Sequence, residues 1–532
     1  MTNLYRYRLL TSLMVLMAMS QTEAQTAPDV PRLVVNIVVD QLRGDYLDAF
    51  SSLYGDKGFR RFLNEGRVYR QAEYPFASPD RASALASLMT GTTPYEHGIV
   101  GSRWLDRNTL QPVYCVDDRA FNGMLTTDQS SASSLKVSTL TDELKVATQG
   151  KGLVYSIAPY RDAAVLAAGH AADGAFWIND LTGQWCSTDY YGQFPQWALT
   201  YNNSRGLKER ISSLKWEPIN GLVGNFNYFV SGEQHKPFKH SFSGERKYRD
   251  LKESAMVNDE VNHFVEYCLH STELGVDAIT DILTLTYYAG NYLRRGVDEF
   301  PIEQQDIYVR LDQQLADMMA TVERKVGRDR VLYVLTSTGC ADQQHTNLEP
   351  YRIPTGTFNI TRAKLLLNMY LIAVYGQGQY VETALGNQLY LNHKLLEDRA
   401  LNQAEVLERS QDFLTQLSGV QDVYTSKGLL QGAGMAGIRM LRNAHHPRVS
   451  GDLLIRVAPG WHLVNEDTHE DHIVRESYLG FPLYFLGASV KSAIVETPVT
   501  VDYIAPTVAK CLRIRAPNGC SLPPLSDFLK LK

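Results

Sequence analysis

Short apolar runs separated by stretches of helical spacing are the first regularity along this chain. Leu33 to Val39 is continuous, β-branched and apolar, and it ends in Asp40. A strand buried on both faces of a parallel sheet reads this way. Leu153 to Ile157, Ile282 to Thr286 and Val331 to Thr336 repeat the pattern. Between the last two, Ile307, Leu311, Leu315, Met318, Met319, Val322 and Val326 recur at helical spacing. Strand, long helix, strand predicts a βαβ unit. The expected fold class is therefore α/β, a doubly wound, mostly parallel sheet with helices on both faces. Phe59 to Asn64 predicts a short helix. Another is predicted over Arg81 to Met89, after Ser78-Pro79-Asp80, with Pro79 suited to the first helical position. Ligands of such sheets collect at the carboxyl ends of the strands, where Asp40, Tyr287 and Thr338 fall.

Two stretches interrupt this rhythm. Residues 190–267 are rich in Trp, Tyr, Asn, Gly and Lys without steady periodicity and predict an inserted cap. Residues 350–440 alternate strand-like and helical segments and predict a second insertion, with the α/β domain as a whole running over 31–532.

The amino terminus changes the compartment. Arg6 and Arg8 precede the apolar run Leu9 to Met19, and Thr22-Glu23-Ala24 supplies small residues before Gln25. Residues 1–24 thus read as a secretory signal, and a periplasmic or secreted protein is expected. The apolar run is too short for a membrane span, and no later stretch predicts one. With 52 Lys and Arg against 58 Asp and Glu, the net charge of −6 offers no basic surplus for nucleic acid. Six cysteines suit an oxidising compartment, and Cys511 with Cys520 is the expected disulfide, since the two flank a short loop.

Several motifs then act together. Val39-Asp40-Gln41 is followed by Thr90-Gly91-Thr92-Thr93-Pro94, His97-Gly98-Ile99-Val100-Gly101 and Trp104. Ala168-Gly169-His170, Tyr308-Val309-Arg310-Leu311-Asp312, Ser450-Gly451-Asp452 and Val501-Asp502-Tyr503 complete the set. In this combination the chain resembles the alkaline phosphatase superfamily, in its exported bacterial branch with type I phosphodiesterase-like sequences. The resemblance implies two zinc ions, a Thr or Ser nucleophile and a covalent phospho-enzyme. Such metals need about three His or carboxylate ligands each.

Carried over residue by residue, the resemblance keeps Asp40 as a metal ligand. The next aspartate and histidine positions hold Tyr287 and Asn291, and an expected Asp-His pair is replaced by Thr338 and Gly339. Either His469 or His472 is left for the final histidine. Asp342 and His345 enter only if the alignment slips. Aligned at Pro79 the nucleophile position holds Ala77, and aligned at Thr90-Gly91 it holds Arg81, so Ser78 is the nearest hydroxyl. The phosphate-contacting Asn becomes Ser102, and a Lys and Arg pair becomes Tyr160 and Asp162, with Arg161 displaced by one. His97, His170 and His446 sit in Gly- or Pro-bearing loops and are expected to serve as structural hydrogen-bonders. Without GxSxG, a serine hydrolase built on Ser78 and His469 is disfavoured.

The expectation from these losses is a pseudophosphatase, catalytically inactive and without a cofactor. It would act by binding a cell-envelope protein or a small ligand. The alternative is an active metal-dependent phosphomonoesterase or phosphodiesterase with rearranged ligands, in which case zinc is expected.

Overall fold

The computed structural model describes residues 29–223, 237–295, 299–341, 352–432, 436–474 and 478–529. The expected signal segment 1–24 lies outside them. Five parallel strands form the centre of the main sheet, in the spatial order Val331–Ser337, Leu33–Asp40, Asp281–Tyr288, Val154–Ile157 and Gly174–Ile178. Antiparallel strands continue it outwards, Phe481–Gly487 on one side and Trp185–Thr188 on the other. The fold is mixed α/β with a large, mostly parallel central sheet and several small extra sheets, as expected.

The period of two along the Leu33–Asp40 strand divides the core. Leu33, Val35, Ile37 and Val39 enter one apolar cluster, with the helices Met256–Ser271 and Pro301–Val326. Val34 and Val38 enter the other, with the helices Arg81–Thr90, Arg161–Ala168 and Ile504–Leu512. Successive side chains of a strand point to opposite faces. Asp40 therefore emerges on the side of Val34 and Val38, towards the Arg81–Thr90 helix.

That helix begins at Arg81, as predicted, and Pro79 lies just outside it. Asp80 is its cap: its carboxylate accepts from the Ser83 backbone N–H at 2.9 Å, and Ser83 Oγ accepts from the Asp80 N–H at 3.0 Å. This reciprocal pair outcompetes proline as the start signal and makes Arg81 the first helical residue. At the far end Gly91 takes φ +64°, and a Cβ there would come within 2.5 Å of Cys520 Sγ. Thr90-Gly91 is thus a helix terminus pressed against the C-terminal segment. Cys511 and Cys520 do not form the expected disulfide. Both are thiols, and Cys520 Sγ donates to the Thr90 carbonyl at 3.3 Å.

The stretch expected as a cap holds short helices and a two-stranded ribbon, Lys215–Trp216 with His240–Ser241. The helix Met256–Ser271 begins inside it and packs on the sheet, because Val257, Val261, Phe264, Val265 and Cys268 bury one helical face. The second insertion has a core of its own. Phe358, Leu367, Leu371, Leu389, Val406 and Val423 gather there, together with Leu453, Ile455 and Leu463 from beyond residue 440. Among the described residues no helix is long and apolar enough to cross a membrane.

The end of one central strand is held by a single side chain. Asn258 Oδ1 accepts from the Tyr288 backbone N–H at 2.8 Å, and its Nδ2 donates to the Tyr288 carbonyl at 2.9 Å. Both backbone groups are buried. Asn258→Ala is expected to lower the unfolding free energy by about 1–3 kcal/mol for each orphaned group, measured by urea denaturation; an unchanged midpoint would contradict this role.

Candidate functional site

Asp40 ends the central strand and is 2% exposed. Its Oδ1 accepts from Thr338 Oγ1 at 2.7 Å, and that hydroxyl accepts in turn from the Gln41 backbone N–H at 3.1 Å. Its Oδ2 accepts from an Arg81 terminal nitrogen at 3.2 Å. Arg81 Nε reaches both oxygens of Asp162 at 3.1 Å, and Asp162 is fully buried. One guanidinium thus lies between two carboxylates from different elements. Burial opposes its charge, but Asp162 and Asp40 outweigh that effect and hold the group protonated.

Tyr160 is the floor of the cluster. The Arg81 guanidinium sits 3.8 Å above its ring centroid, with Lys252 Nζ at 5.3 Å and Arg294 at 5.9 Å. Each of these cations is in contact with a carboxylate. Lys252 contacts Asp180 at 2.5 Å, with Arg249 on the other oxygen of Asp180 at 3.1 Å, and Arg294 contacts Glu253 at 2.8 Å. Burial draws the Lys252 ammonium below its usual value while Asp180 opposes it. Arg161 turns elsewhere, to Asp117 at 2.9 Å and Ser130 at 3.2 Å, where it lines a polar cavity of about 510 Å³.

The other sequence-nominated positions disperse. Tyr287 is in register with Val39 and donates its phenol hydrogen to Asn262 at 2.5 Å, on the helix of the opposite face. Its neighbour Tyr288 is the tyrosine whose electrostatic surroundings include Tyr160, Arg294 and Asp40, and its hydroxyl donates to the Asn291 carbonyl at 2.6 Å. Gly339, at φ +82°, turns the chain after Thr338. The Ser102 backbone N–H donates to Asp80 Oδ2 at 2.7 Å. Ser78 is exposed, with φ +52°, just before the capped helix. His469 and His472 are exposed at and beside the strand Glu470–Ile473 of a small three-stranded sheet, and none of the Asp40 contacts above involves them. Asp342 and His345 lie outside the described residues. Sequence reasoning missed Arg81 as a functional group, although the alignment at Thr90-Gly91 had already placed it at the nucleophile position.

Two zinc ions do not fit this donor set. Both oxygens of Asp40 are engaged by hydrogen-bond donors, a guanidinium lies beside it, and the phenol at 287 is committed to Asn262. Among the described residues no group of three His, Cys, Asp or Glu side chains could hold a metal ion.

The loop histidines brace the frame. His97 is buried, its Nδ1 accepts from the Ile99 backbone N–H at 3.1 Å, and its Nε2 faces Ser87 Oγ at 2.8 Å on the Arg81–Thr90 helix. The proton of the neutral ring is therefore on Nε2. His170 Nδ1 bonds Asp142 at 2.8 Å, and His446 Nδ1 accepts from the Arg448 N–H at 3.3 Å.

Comparison with known proteins gives a family match and three likenesses over nearly the whole chain. A model of the type I phosphodiesterase / nucleotide pyrophosphatase family matches residues 34–479. The alkaline phosphatase PafA of Elizabethkingia meningoseptica is 28% identical over 543 residues, covering 98% of each chain. The alkaline phosphatase PhoV of Synechococcus elongatus is 28% identical, over 94% of this chain and 93% of its own. The crystal structure of wild-type PafA superposes with a TM-score of 0.82 at 26% identity, over 95% of this chain and all of that one. These matches overturn the expectation of an inactive chain. PafA and PhoV, which align with it over nearly its whole length, are alkaline phosphatases, and they favour the alternative of a phosphoric ester hydrolase.

Two outcomes follow from the site as built. Arg81→Met leaves two buried carboxylates without their cation and is expected to cost about 3–5 kcal/mol of stability by urea unfolding; a loss below about 1 kcal/mol would mean that water already screens the pair. Burial, with neighbouring His446, pushes the His97 imidazole from 6.5 down to about 3. The unfolded state then binds the extra proton first. This contribution is complete above about pH 6.5 and is lost by about 1.4 kcal/mol per unit as pH falls towards 3. His97→Gln should flatten that part of the stability profile, and an unchanged slope would assign it to other groups.

Proposed function

The chain belongs to the type I phosphodiesterase / nucleotide pyrophosphatase family, and on that premise we propose that it hydrolyses phosphoric esters, as a phosphatase or phosphodiesterase working in the periplasm or outside the cell. The observation that carries this reading is the end-to-end likeness to PafA and PhoV. The family frame also persists around Asp40 at the carboxyl end of the central strand.

The residues of this chain suggest how a phosphoryl group would be handled. Arg81, Lys252 and Arg294 converge on the Tyr160 ring. Cations so placed draw an anionic ester and offset charge that gathers on the non-bridging oxygens as the phosphorus–oxygen bond breaks. Arg81 contributes its charge rather than a free fork, since its Nε and a terminal nitrogen are already engaged by Asp162 and Asp40. Ser78 offers an exposed hydroxyl beside the start of the Arg81–Thr90 helix. In this reading an oxygen from Ser78 or from water bonds to phosphorus and gives its proton to solvent. The phosphorus–oxygen bond to the ester alcohol breaks, and that alcohol takes a proton from solvent. Where Ser78 attacks, water then cleaves the Ser78 phosphoester and the serine regains its proton. No step is assigned to zinc, whose ligand set the described residues do not reproduce.

Purified protein is expected to release p-nitrophenol from p-nitrophenyl phosphate or its bis ester. Arg81→Ala should reduce that rate at least tenfold, and Ser78→Ala distinguishes an enzyme nucleophile from direct attack by water. Failure to turn over either ester, with and without added divalent metal, would rule the proposal out.

A further inference from the structure

We infer that Arg81 is the resident cation of this site, so that Asp40 and Asp162 are paired with a guanidinium where the family's arrangement would employ divalent metal. The inference deepens the hydrolase reading and rests on it for its catalytic part; its structural part stands alone.

Four observations carry it. The first is placement: Arg81 opens its helix immediately after the Asp80 cap, which fixes the backbone from which the guanidinium extends. The second is saturation. Nε spans both oxygens of Asp162, a terminal nitrogen takes Asp40 Oδ2, and the flat face rests on Tyr160. The remaining Asp40 oxygen is held by Thr338, whose hydroxyl is itself fixed by the Gln41 N–H. A metal ion seeking Asp40 would have to displace both donors.

Charge is the third. Arg81, Arg249, Lys252 and Arg294 face Asp40, Asp162, Asp180 and Glu253, four cations against four carboxylates, each in direct contact with a partner of opposite sign. A divalent ion binds where negative charge is in excess, and these pairs leave no such excess. The fourth is the pattern of replacement. With the alignment anchored at Thr90-Gly91 (anchored at Pro79 it gives Ala77), the nucleophile position carries Arg81, and the position of a phosphate-binding arginine carries Asp162. The two substitutions meet in one ion pair, so each explains the other. A lysine at position 81 would supply the charge without the fork that reaches two carboxylates.

The test reads metal independently of turnover. Full-length protein from zinc-replete culture is assayed for zinc by mass spectrometry, and its thermal unfolding is followed with and without added zinc. The wild type is expected to carry zinc far below stoichiometry and to melt at an unchanged temperature. Arg81→Ala releases the two carboxylates and should acquire a zinc-dependent rise in melting temperature, whereas Arg81→Lys should remain unresponsive. If the alanine variant does not fold, the wild type and the lysine variant decide the matter. Stoichiometric zinc in the wild type, abolished by Asp40→Ala, would overturn the inference. Hydrolysis that needs added zinc would overturn it while leaving the hydrolase reading intact. Zinc-unresponsive protein without turnover would support it and count against the hydrolase reading alone.

Discussion

Two carboxylates withdrawn from water need a positive charge within hydrogen-bonding reach, and Arg81 supplies it for both Asp40 and Asp162. Much of the centre follows from that need. The helix must start where a six-atom side chain can reach both acids, and Asp80 secures that start. Tyr160 must lie flat beneath the guanidinium, and its hydroxyl is held by the Lys252 carbonyl at 3.2 Å. Thr338 must present its hydroxyl to the remaining Asp40 oxygen, which directs the chain into the turn at Gly339.

The altered positions are coherent when taken together. Counted singly, a lost nucleophile, a lost arginine and lost metal ligands look like decay. In three dimensions Arg81 and Asp162 compensate each other, and the tyrosine at 287 has a half-buried acceptor of its own in Asn262. Decay would leave buried polar groups without partners, a costly condition. The conserved frame and the full-length kinship with alkaline phosphatases are consistent with a site rebuilt around another cation.

How much of this was legible beforehand depends on distance along the chain. The strand Leu33–Asp40, the strands near 154, 282 and 331 and the long helix ending at Val326 could be read directly, because burial on both faces or on one helical face leaves a periodic mark. The loop histidines could also be read, since their partners lie on short motifs nearby. The Arg81–Thr90 helix could be read too, although the Asp80 and Ser83 cap rather than Pro79 marks its start. The expected Cys511–Cys520 bridge failed because adjacency in sequence says nothing about how two side chains point. The Arg81–Asp162 contact joins residues 81 apart, and no local pattern announces a pair of that separation. Assuming that missing ligands meant missing function was the larger error, since it weighed positions singly and gave no weight to what had arrived in their place.

The small cluster around Leu371, Val423 and Ile455 has a different implication. Its apolar side chains satisfy one another and make no call on the main sheet for their burial. Its tie to the 103–114 hairpin includes a buried carboxylate, Asp452, shared by Arg107 at 3.2 Å and His393 at 2.7 Å. A block packed in this way keeps its own shape when its outer surface is altered, and the strand ends beneath it are held by other contacts.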